Sequence, residues 1–231
     1  METIRANLQR VQDRIRNACL RSGRDPASVR LIAVSKTVAP ERIRQGVAAG
    51  LKVLGENYVQ EALRKMDSLA DLDLEWHFIG HLQTNKVKHA IARFHWIQTV
   101  DRVKLAREID RRASSLGKRM PVLLQVRLGG EETKAGVDPE ELPKLYDEVS
   151  RMDGVEVRGL MTLPPYLEDL EAVRPHFSGL RRLLQMLRDR ASDPDRLTEL
   201  SMGMSHDFEV AVEEGATMVR VGTALFGARP Q

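Results

Sequence analysis

Eight short apolar runs, each parted from the next by a stretch with helical spacing, constrain the fold of this chain more than any other feature. They are residues 31–36 (LIAVSK), 52–55, 76–80 (WHFIG), 96–100, 121–126 (PVLLQV), 155–161 (VEVRGLM), 199–202 and 218–222. Runs of this length, rich in Val, Ile and Leu without strict alternation, read as strands buried on both faces. Helix signals fill the gaps. Pro40 opens one helix, Asn57 and Asp101 are placed to cap two more, and further helices are expected from about 139, over 167–190 and over 208–214. Strand and helix in strict succession demand parallel pairing with right-handed crossovers. Eight such units predict an α/β chain folded as a single (β/α)8 TIM barrel, one domain spanning residues 1–231. A doubly wound open sheet is the alternative, but it needs two edge strands, and no run has the charge or proline density of an edge. The first twenty residues form an extra amphipathic N-terminal helix with the stripe Ile4, Leu8, Val11, Ile15, Cys19, expected against the outside or bottom of the barrel.

Composition removes several functions. With 42% hydrophobic and 30% charged residues the chain reads as a globular protein, and no apolar run is long enough to cross a bilayer. The N-terminus lacks the apolar core of a secretory signal, so a cytoplasmic location is expected. Thirty-six basic residues nearly balance 33 acidic ones, and no basic block stands alone, which argues against DNA. Cys19 is the single cysteine and falls on the apolar stripe, so neither a disulfide nor redox chemistry is expected. His77 and His81 are four apart but lie on a strand and loop rather than on a helix face, with no HExxH sequence or clustered carboxylate, and no metal is expected.

In a barrel, residues just past the strands share one mouth. Here they are Lys36, Asn57, His81, Met161, Ser201, Gly203, Gly222 and Thr223. The loops after the last two strands, SMGMSHD and VGTALFG, are small, hydroxylated and glycine-rich, which suits a phosphate held by backbone N–H groups, with the helix start near Ser205 to Phe208 adding its positive end. Strand alternation points Arg220 the same way as Met218 and Gly222, into the barrel; with the register reversed it would instead reach Glu213 or Glu214. A lysine, a phosphate cradle and an inward arginine are the parts of a pyridoxal phosphate site: amine for the aldehyde, donors for the phosphate, a partner for the ring nitrogen.

The segments AVSKT, GENYVQEALRK, WHFIGHLQTNK, GLMTL and LSMGMSHDFEVAVEEGATMVRVGTALFG, in that order, resemble the pyridoxal phosphate homeostasis proteins. The resemblance covers nearly the whole chain. It implies a barrel like the N-terminal domain of alanine racemase, a Schiff base between pyridoxal 5'-phosphate and Lys36, and a protein that holds the cofactor and passes it to apo-enzymes without substantial catalysis. Arg127 stands where that pattern carries asparagine and receives no role. The expected cofactor-binding set is Lys36, Asn57, Met161, Ser201, Gly203, Arg220, Gly222 and Thr223. A racemase-like enzyme is the alternative. Such enzymes add a second domain and a partner's tyrosine, whereas this sequence ends at Gln231, and only Tyr58 of its three tyrosines follows closely on a mouth motif. A cofactor-free Schiff-base aldolase leaves Arg220 unexplained. A monomer is expected.

Overall fold

The computed structural model describes residues 3–129 and 135–227. Its strands are β1 (Arg30–Val34), β2 (Val53–Glu56), β3 (Glu75–Phe78), β4 (Trp96–Val100), β5 (Met120–Val126), β6 (Val155–Thr162), β7 (Glu199–Met204) and β8 (Met218–Val221). Every neighbouring pair is parallel, and β8 returns to β1 to close the barrel. No edge strand is left among these eight, so the open sheet is excluded. The helices are α1 (Ile4–Arg21), α2 (Pro40–Ala48), α3 (Val59–Ser68), α4 (Val87–Arg93), α5 (Val103–Ser115), α6 (Leu142–Val149), α7 (Leu170–Arg190), α8 (Phe208–Glu213) and α9 (Thr223–Phe226).

The apolar side chains divide between two places. A large core fills the space between strands and helices, and a small one of Ile32, Leu123, Met161 and Met218 fills the barrel axis. The strand register follows from this division, since shifting a strand by one residue would exchange its two faces. α1 buries the predicted stripe, Cys19 included, and packs against α8, α9 and α2 on the outside of the barrel. Arg14 and Arg21 pair with Glu209 and Glu213 of α8, and Asn7 Nδ2 donates to the Leu225 carbonyl of α9. α1 therefore braces the units that carry both glycine-rich loops.

Two expected caps are not formed. α3 begins one turn position later than expected, with Tyr58 rather than Asn57 at its N-cap, and α5 starts after Arg102, whose guanidinium pairs with Asp101. In both cases the strand ends close to the helix start, so the backbone turns before a side-chain cap can form. The helix expected from about 139 begins at Leu142. Gly130, in the loop after β5, lies outside the described residues; Arg127 in that loop holds Asp138 with two nitrogens.

Candidate functional site

β1 and β8 pair at the seam of the barrel, Ala33 opposite Val221, so the segments that leave them run side by side. Lys36, Gly222 and Thr223 consequently line one cavity of about 180 Å³, together with Val34, Arg42 and Phe226. Arg42 was not anticipated from the sequence; it reaches back from α2 to the Phe226 carbonyl at 2.6 Å and ties the two sides of the cavity together. Gly222 has φ −118°, a conformation open to any residue, so the backbone does not demand glycine there. A Cβ on it would stand 3.4 Å from Val34, on the cavity side.

The loop after β7 meets the same point through Ser205, which the sequence pattern marks only as the start of a helix. Its Oγ accepts from the N–H groups of Gly222, at 3.2 Å, and Ala224, at 3.4 Å. Two amides and a hydroxyl thus converge where β7 and β8 open. The helix start near Phe208 contributes otherwise than expected. Asp207, the N-cap of α8, is buried there and accepts the Met204 N–H of β7 at 2.6 Å without bonding an amide of the helix, so a carboxylate rather than an open helix end stands at that place. Burial raises the Asp207 pKa, with the Met204 N–H and Arg220 opposing the rise.

Gly203 and Ser201 have other work than facing a ligand from a loop. Both lie within β7, which runs to Met204. Gly203 has φ +90°, and a Cβ on it would stand 2.6 Å from Ala211 Cβ and 2.8 Å from Phe208 Cα, so packing of α8 on β7 requires glycine. Ser201 is fully buried and points to the barrel axis, where its Oγ accepts from Arg220 Nη1 and donates to Gln98 Oε1, both at 2.6 Å.

Arg220 faces the axis, 3% exposed, and its second terminal nitrogen donates to the Thr162 carbonyl at 2.8 Å. Glu213 and Glu214, its partners in the reversed register, are engaged with Arg174 instead. Below Arg220 a ladder of hydrogen bonds descends the barrel. Ser201 donates to Gln98, Gln98 Nε2 donates to His77 Nδ1 at 2.7 Å, and His77 Nε2 then donates to Glu75 Oε1 at 2.9 Å. Arg30 closes the lower end on Glu75 at 3.1 Å. The bonds form one consistent direction, which fixes His77 as the neutral tautomer with its proton on Nε2. Burial pushes the His77 pKa down against the pull of Glu75, and the His77 hydrogen bond holds Glu75 below the usual carboxylate range although burial opposes it. Burial likewise lowers Arg220 to about 10, Asp207 opposing, which leaves the guanidinium charged at neutral pH.

Met161 is buried on the axis with Ile32 and Met218, beneath the mouth. Asn57 follows β2, next to β1, and lies in a separate cleft of about 410 Å³ with Tyr58, His81 and Lys86, where its Oδ1 is buried without a hydrogen-bond partner. Tyr58 is exposed. The structure therefore brings Lys36, Gly222 and Thr223 together, sets Ser201 under Arg220, and places Asn57 on the other flank of the Lys36 segment, past the neighbouring strand β2 and outside that cavity.

A closed parallel barrel with a lysine, an amide and hydroxyl cluster and a buried arginine at one end places the chain in the class of alanine racemase-type barrels. The family described as alanine racemase, N-terminal domain, matches residues 1–230. An alanine racemase from Clostridium difficile shares the fold, with a TM-score of 0.71 at 16% identity, this chain covering 58% of it. Much nearer are proteins named pyridoxal phosphate homeostasis protein. The one from Aquifex aeolicus is 54% identical over 96% of both chains, and the one from Pseudomonas aeruginosa 46% identical over 99% of this chain and 97% of its own. The solved structure of PipY from Synechococcus elongatus, with PLP bound, is 44% identical with a TM-score of 0.83, covering 94% of this chain and all of that one. The chain belongs to the pyridoxal phosphate homeostasis protein family.

Proposed function

We propose that this chain binds pyridoxal 5'-phosphate at the barrel mouth and holds it for delivery to other proteins. The observation that carries the reading is the single cavity lined by Lys36, Gly222 and Thr223, closed at the seam of β1 and β8. The names of the relatives and the PLP-bound PipY structure support it. The donor set fits the group: a lysine amine for an aldehyde, and amides and hydroxyls for a phosphate, gathered at one cavity. Lys36 supplies the amine, Gly222, Thr223 and Ser205 hold the phosphate, and Arg220, kept upright by Ser201 and Thr162, addresses the ring nitrogen.

When bound, the cofactor supplies a reactive aldehyde and a ring able to withdraw electrons. Arg220 limits the second property. A charged guanidinium only donates hydrogen bonds, so Arg220 would favour a ring nitrogen without a proton, and a ring held that way would be a weak electron sink. Holding outweighs turnover for that reason. The test incubates the loaded protein with a panel of L-amino acids in deuterated water and follows label entering the α-position. No multiple-turnover exchange is expected; exchange at about 1 per second or faster, lost in Lys36→Ala, would make the protein a racemase-like enzyme.

A further inference from the structure

Lys36 stands just beyond the strand ladder, whose last bond at this edge runs from the Ser35 N–H to the Gly55 carbonyl. Alternation continued past β1 sends Ile32, Val34 and Lys36 toward the axis and Ser35 and Thr37 outward. Both outward neighbours are tied. Ser35 Oγ donates to Glu56 Oε1 at 2.7 Å, and the Thr37 N–H donates to Glu61 Oε1 at 2.6 Å. Between the two carboxylates lies Lys65, only 6% exposed, whose Nζ donates to Glu56 at 2.7 Å, to Glu61 at 2.6 Å and to the Ser35 carbonyl at 2.5 Å.

Thr37 itself has φ +63°, the one non-glycine residue in the left-handed region among the described residues. A β-branched residue is strained there and stays only where its surroundings hold it. A buried ion cluster is in general no better for stability than apolar packing. This one directs three of its hydrogen bonds to the residues on either side of Lys36. We infer that Glu56, Glu61 and Lys65 form a clamp that aims the Lys36 amine into the barrel mouth, which makes Glu61 and Lys65 positioning residues for covalent capture of an aldehyde. The inference rests on the reading of Lys36 above, in which its neutral amine adds to the aldehyde carbon and one water leaves as the carbon–nitrogen double bond forms.

The test compares two ligands on the full chain: pyridoxal phosphate, and its 4-deoxy analogue, which has a methyl group in place of the aldehyde. Glu61→Ala removes the acceptor of the Thr37 N–H. It is expected to weaken pyridoxal phosphate binding about tenfold, in the range that small misplacements of reacting groups produce, while shifting the deoxy analogue by less than about twofold. Glu61→Gln keeps an acceptor and should restore most of the loss. Glu61→Asp, which retains the charge but draws the carboxylate back, should show the same selective loss and carries the test if the alanine variant does not fold. Equal losses for both ligands, or no loss for either, would overturn the clamp. Lys36→Ala that keeps the parental preference for the aldehyde would remove the underlying reading itself, whatever Glu61 does.

Discussion

Thr223 and Ser205 decide whether the mouth recognises an anion, because Thr223 lines the cavity and the Ser205 hydroxyl accepts from the Gly222 and Ala224 amides beside it. A hydrogen bond to a charged group is worth about 1.5 to 3 kcal/mol. Thr223→Val keeps the shape and removes the donor, so it should weaken pyridoxal phosphate binding roughly tenfold to a hundredfold and leave unphosphorylated pyridoxal little changed. Unchanged affinity for the phosphorylated form would place its anion elsewhere. At this scale the sequence was partly legible. Lys36, Gly222 and Thr223 announced themselves because each ends a strand. Ser205 did not, since β7 runs two residues further than its apolar run suggests and carries Ser201 and Gly203 inside the sheet. Arg42 was hidden for another reason: nothing in a helix pattern says which loop its long side chain will reach.

The element on which the site stands is the ladder from Arg220 to Glu75, drawn from β8, β7, β4 and β3. Its existence was beyond sequence reasoning, because the barrel brings together residues as distant as Gln98 and Ser201, 103 positions apart. The strands that hold it were legible from apolar runs alone. The ladder predicts a pH dependence. His77 is held below its ordinary value of 6.5, so the unfolded chain binds the proton more readily than the folded one. Its contribution is complete above 6.5 and is lost as the pH falls below it, and Glu75, also held low, adds a loss below 4.5. Glu56 and Asp207, raised by burial, act in the opposite sense, so the comparison is with His77→Gln. Denaturant unfolding of both proteins between about pH 5 and 7.5 should show parental stability rising faster with pH, by at most about 1.4 kcal/mol per pH unit. Parallel curves would mean that burial in the barrel does not hold His77 neutral.

The whole molecule joins these parts at the seam where β8 meets β1. The strand bearing Arg220 lies against the strand that leads to Lys36, α1 braces the last two units from outside, and Arg42 and the Phe226 carbonyl link α2 to α9 across the cavity. Closure of the barrel is thus what makes one site from the chain's beginning and its end. The account's central claim is that Lys36 is the amine through which pyridoxal phosphate is held. The most direct measurement loads the protein, reduces it with borohydride, digests it and maps the modified peptide by mass. The account predicts the cofactor mass on Lys36, with loss of the visible absorption band in Lys36→Ala. A stable adduct on another lysine, with Lys36 unmodified in the parent protein, would contradict it.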